Sequence, residues 1–108
     1  MSDIPEQPLE DEDPTLTANA LKAMAHPVRW KILCALGEKE LTVQEILDLV
    51  GTTQSNISQH LEVLRTKHII MSRKEGTRVF CRVRNQQLQL LIENMRDVLC
   101  PTNLDARL

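Results

Sequence analysis

Residues 52–84 read TTQSNISQHLEVLRTKHIIMSRKEGTRVFCRVR. In the first half Ile57, Leu61 and Leu64 recur at helical spacing among polar residues, and Thr53 stands where a hydroxyl caps a helix N-terminus. After His68 the period changes. IIMSRK and TRVFCRVR are short segments rich in β-branched residues, joined through Lys74-Glu75-Gly76-Thr77, where Gly76 supplies a turn. A helix followed at once by a hairpin is therefore expected. From Arg65 to Arg84 there are seven bases (Arg65, Lys67, Arg73, Lys74, Arg78, Arg82, Arg84) against Glu75 alone, so this segment forms a local cationic footprint.

Upstream, Thr42 and Glu45 fit a capping box at the start of LTVQEILDLVG, and Gly51 closes that short helix. Pro27 suits the first turn of an earlier helix carrying Val28, Ile32, Ala35 and Leu36 inward and ending at Gly37. Before it, TLTANALKAMA places Leu16, Ala20, Leu21 and Met24 on one stripe that stops at His26-Pro27. Downstream, NQQLQLLIENMRDVLC aligns Leu88, Leu91, Ile92, Met95 and Leu99 and stops at Cys100-Pro101. The expected order is four helices, a two-stranded hairpin and a fifth helix, a mainly α chain with a β wing.

Size and composition agree with one such unit. The 108 residues suffice for a single core, and only Trp30 and Phe80 are aromatic, so that core must be aliphatic. Residues 1–14 hold six acids and no base, leaving 13 bases against 9 acids in the remainder; the overall −2 hides a basic body. Three prolines and little apolar matter make residues 1–14 an expected disordered acidic tail, with the folded domain at 15–100 and a short C-terminal tail at 101–108. No apolar run has the length of a membrane span and no basic-apolar leader is visible, so a cytoplasmic protein without membrane contact is expected.

The third and fourth helices have the form of a helix-turn-helix, and with the hairpin they make a winged helix-turn-helix. The first turns of the fourth helix present Gln54, Ser55, Asn56, Ser58 and Gln59 toward base edges and phosphates of double-stranded DNA. His60 follows and suits either a phosphate or a packing contact. Arg73, Lys74 and Arg78 suit phosphates or a minor groove.

Three runs carry a resemblance to a known family: LKAMAHPVRWKIL, TTQSNISQHLEVLRTKHII and KEGTRVFCRV. They resemble the opening helices, recognition helix and wing of the ArsR/SmtB repressors, over nearly the whole chain after the tail. The resemblance implies a homodimeric transcriptional repressor, not an enzyme, whose first and last helices meet their partners through Leu16, Leu21, Leu88, Leu91, Ile92, Met95 and Leu99. Recognition helices would then address operator half-sites about 34 Å apart. Members that sense metals do so at places filled here by Thr42 and Gln44, or by Asn85 and Gln87, which are poor ligands, and no His follows His68; neither a metal nor another cofactor is expected.

Cys34 and Cys100 resemble the dithiol of the family's redox- and sulfide-responsive branch. That likeness implies an effector that is an oxidant or a reactive sulfur species, forming a disulfide or polysulfide bridge that releases the operator. Cys81, between Val79 and Val83, reads as a packing residue. Alternatives are a soft metal or metalloid on Cys34 and Cys100 with an unidentified third ligand, a thiol enzyme, for which Cys-x-x-Cys and Gly-rich loops are missing, and a winged module that binds only protein.

Overall fold

The computed structural model describes residues 13–100. Their order is α1 (Pro14–Met24), α2 (Pro27–Leu36), β1 (Leu41–Thr42), α3 (Val43–Val50), α4 (Gln54–Thr66), β2 (Ile70–Glu75), β3 (Arg78–Val83) and α5 (Gln86–Leu99). This is the expected winged helix-turn-helix with one addition. Leu41 and Thr42 pair antiparallel with Cys81 and Phe80, so the wing is a three-stranded sheet in the order β1-β3-β2. Two residues give no readable alternation, and only their partner strand makes them a strand.

Local chemistry sets the helix limits. Asp13 accepts from the Thr15 N–H at 2.9 Å and Pro14 occupies the first turn, so these two residues, expected to be tail, open α1 instead. The remaining expectations for the two tails fall on 1–12 and 101–108, outside the described residues. His26 caps α2 by accepting from the Val28 N–H through Nδ1 at 3.1 Å. The capping box forms as read: Glu45 N–H donates to Thr42 Oγ1 at 3.1 Å and Thr42 N–H to Glu45 Oε1 at 2.8 Å. Gly51, at φ 75°, turns the chain out of α3 into the Thr53 cap of α4. In the hairpin Glu75 stands opposite Arg78, leaving a two-residue turn in which Gly76 takes φ 63°, a conformation that favours glycine.

One core ties these elements together. Ile32, Leu33 and Leu36 of α2 meet Ile46 and Val50 of α3, Ile57, Leu61 and Leu64 of α4, and Ile70, Cys81 and Val83 of the sheet. Each fully buried aliphatic contributes roughly 1.5–3 kcal/mol. The same packing fixes the rotation of α4 about its axis, because turning Ile57 and Leu61 inward leaves the intervening polar residues facing water.

Candidate nucleic-acid interface and thiol pocket

The front of α4 is built from that rotation. Gln54, Ser55, Ser58 and Gln59 are all exposed, whereas Ile57 and Leu61 are buried. Asn56 differs from its neighbours: it is half-buried, and its side-chain amide donates to Thr52 Oγ1 at 2.9 Å, which ties it to the turn before the helix. His60 is also turned inward. Its ring lies 4.4 Å from the His26 ring between centroids, and Arg29 Nη1 donates to its Nδ1 at 3.2 Å. Arg29 is anchored in turn by donating to the Ala23 carbonyl at 2.5 Å. Of the two roles open to His60, the structure displays the packing contact. Burial lowers its pKa, with the neighbouring His26 and Arg29 adding to the effect, so the ring favours its neutral, accepting form.

The wing separates its three expected phosphate ligands. Arg73 is already occupied: its guanidinium donates to both Glu40 oxygens, the shortest contact being 2.7 Å, and to Glu75 Oε2 at 2.7 Å, while it lies 4.5 Å from the Phe80 ring centroid. The hydrogen bonds from Arg73 hold the Glu40 carboxyl below its ordinary range and raise the Arg73 pKa. Arg73 is thus a brace between the wing and the segment before β1, and its charge is balanced there. Among the described residues Lys74 and Arg78 make no ion pair, and Arg78 is held by its cation–π contact with Phe80, 5.3 Å to the centroid. Glu40 had no signal in the sequence, since only the β1–β3 pairing brings it to the wing.

Cys34 of α2 and Cys100 at the end of α5 line one cavity of about 710 Å³ between α1, α2 and α5, whose walls include Leu21, Met24, Trp30 and Met95. Neither cysteine is in a disulfide, and both are half-buried. Burial raises the Cys34 pKa; the Arg96 guanidinium opposes this, and the charge of Cys100 adds to the rise, which places both groups within electrostatic reach of Cys34. Arg96 was not singled out from sequence, although its position one helical turn before Cys100 was a usable signal. Cys81 is fully buried in the sheet, as its packing role requires. Among the described residues no three His, Cys, Asp or Glu side chains gather as a metal site would need.

The apolar stripes of α1 and α5 are divided by the core. Ile92, expected at a subunit contact, is only 4% exposed and packs in the protomer's own core, while Leu88 and Met95 pack against that core in part. For Ile92 this corrects the expectation, because α2 lies against α5 and covers that side, whereas Leu88 and Met95 keep part of their surface exposed. Leu16 (69%), Leu21 (51%), Leu91 (48%) and Leu99 (67%) remain exposed, as do Leu90 and Val98, which the helical reading passed over.

Residues 26–71 match the family model described as "Bacterial regulatory protein, arsR family". The chain is 31% identical over 85 residues to the HTH-type transcriptional regulator KmtR of Mycobacterium tuberculosis, covering 79% of this chain and 65% of KmtR, so it spans slightly less than two thirds of that relative. It is 37% identical over 83 residues to the transcriptional activator HlyU of Vibrio cholerae, covering 77% of each. The structure of reduced HlyU from that organism superposes with a TM-score of 0.74 at 34% identity, over 81% of this chain and 92% of the other. The biofilm growth-associated repressor of Xylella fastidiosa is 33% identical over 82% of this chain and 78% of its own.

Proposed function

Because the chain belongs to the arsR family of bacterial regulatory proteins, we propose that it is a cytoplasmic, homodimeric transcriptional repressor that binds double-stranded operator DNA. Gln54, Ser55, Ser58 and Gln59 read base edges, and Lys74 and Arg78 take phosphates or the minor groove. The observation that carries this reading is the exposed polar front of α4 beside a wing whose Lys74 and Arg78 are exposed and make no ion pair among the described residues, both held by one core. Repression rests on the biofilm growth-associated repressors among its relatives, while HlyU, also similar, is named an activator.

The second part of the proposal concerns Cys34 and Cys100. Their shared cavity supports a switch in which oxidation, or bridging by persulfide or polysulfide sulfur, joins α2 to α5. Since α5 also carries exposed leucines suited to a subunit contact, the bridge changes the spacing of the two recognition helices and lowers operator affinity. One neighbour's structure, that of HlyU, is named for a reduced state, which supports testing a redox response here. The test is anisotropy titration of the chain's own promoter fragment with reduced, diamide-oxidised and organic-persulfide-treated protein. Reduced protein is expected to bind and both treated forms to release, with Cys34→Ser insensitive to either. Undiminished binding after both thiols are shown by mass spectrometry to be modified would reject the switch.

A further inference from the structure

The thiol cavity has more apolar space than an inorganic oxidant needs. Its volume of about 710 Å³ lies in the range of sites that take an organic molecule, and Met24, Trp30 and Met95 line its apolar side beside the exposed Leu21 at its open edge. A second cavity of about 320 Å³ lies against the same thiol, lined by Glu38, Lys39, Gln89 and Glu93. Cys34 and Arg96 line both spaces. Cys34 therefore stands between an apolar chamber and a polar one, with a guanidinium beside it.

Resting on the thiol-switch reading above, we propose that this site binds and reduces an organic hydroperoxide with an apolar body, and that this is the class of effector it selects. The body lies against Trp30 and Met95, and the hydroperoxide group meets the Cys34 sulfur. That sulfur attacks the terminal oxygen, the O–O bond breaks, and the alkoxide leaves, taking up the thiol proton to become the alcohol. Arg96 offsets the developing negative charge. The Cys100 sulfur then attacks the Cys34 sulfenic acid, the S–O bond breaks, water leaves toward the polar cavity, and the disulfide forms. Two electrons pass from the two thiols to one hydroperoxide. Of the other basic side chains that line the apolar chamber, Lys31 is committed to the Val50 carbonyl at 3.1 Å and His26 accepts the Val28 N–H at the α2 cap, which leaves Arg96 to serve the reacting group. Burial keeps Cys34 largely as the thiol, so dilute oxidant reacts slowly; retention in the chamber offsets this by raising local concentration.

The test compares cumene hydroperoxide with hydrogen peroxide on the reduced full chain, following Cys34–Cys100 disulfide formation by mass spectrometry and normalising each rate to glutathione. Cumene hydroperoxide is expected to react about ten-fold faster or more, because its hydrocarbon body is taken from water. The unreactive product alcohol, 2-phenyl-2-propanol, is expected to change the emission of Trp30, the chain's sole tryptophan, in a saturable way. Ala25→Phe, which fills the chamber from an exposed position, is expected to bring the normalised ratio toward one; should it fold poorly, the wild-type ratio and the alcohol titration decide. Equal rates with no saturable emission change, as would follow if a second copy filled the chamber, overturn the proposal. Loss of operator binding on diamide treatment would then leave the switch itself standing, whereas a hydroperoxide preference with unaltered operator affinity would reject the switch and keep the site.

Discussion

Arg73 and Arg78 are both cationic residues of the wing, yet their surroundings give them different work. Arg73 is neutralised by Glu40 and Glu75, whereas Arg78 rests on Phe80 and forms no ion pair among the described residues. Arg78→Ala is expected to weaken binding to every DNA sequence and to reduce the salt slope by about one unit. Glu40→Gln, which removes one of the two carboxylates that balance Arg73, is expected to steepen the slope; fluorescence anisotropy across a salt series measures both. A loss confined to one operator sequence would assign Arg78 to base reading instead. His60 supplies a pH test. Burial, then His26 and Arg29, lower its pKa below the ordinary 6.5, so above that value neither native nor unfolded protein holds the proton. As pH falls below it, the unfolded chain takes up a proton that the native ring resists, and stability drops until the native pKa is reached. Acidification from about pH 7.5 to about 5.5 should lower the Tm, and His60→Gln should lose less over the same interval. Identical losses would place the titration elsewhere.

At the scale of elements, α4 depends on its cap as much as on its buried face. Thr53 Oγ1 accepts from the Asn56 N–H at 3.2 Å, and Thr52 holds the Asn56 side chain, so the first turn of the reading helix is fixed from two residues before it begins. Thr53→Ala is expected to cost about 1 kcal/mol in chemical denaturation. It should weaken DNA binding by more than that loss of stability alone explains, since the first turn carries Gln54 and Ser55. Unchanged affinity at a lowered denaturation midpoint would separate the cap from recognition. The helices and hairpin were legible because their caps, periods and turn residues are local. β1 was not, because a two-residue strand has no period and exists only through Cys81 and Phe80 of β3.

For the whole molecule, α5 has two sides with different consequences. Leu91 is about half exposed, while Ile92 beside it is buried. Leu91→Glu is expected to leave the fold intact and to yield monomers in sedimentation, with operator affinity falling because two half-sites are no longer bound together. Ile92→Ala should instead lower unfolding free energy by about 2–5 kcal/mol through loss of core packing. Dimers that survive Leu91→Glu at micromolar concentration would move the subunit contact elsewhere. Helical periodicity alone grouped these two residues, since neighbours at 100° share a broad apolar arc and only the position of α2 divides it.

Capping hydroxyls, glycines at turns, the change from helical to strand period and the gathering of bases after residue 65 determined the winged helix-turn-helix and its polar-fronted reading helix from sequence alone. Those signals act within a few residues of one another, so they need no knowledge of what packs where. The pairing of Arg73 with Glu40, the inward turn of His60 onto His26 and Arg29, the division of α5 and the placing of Cys34 and Cys100 on one apolar cavity were decided by tertiary structure. Each joins residues at least 31 positions apart, or depends on which side of a helix a distant element covers, and side-chain chemistry does not encode that distance until the core brings the elements together.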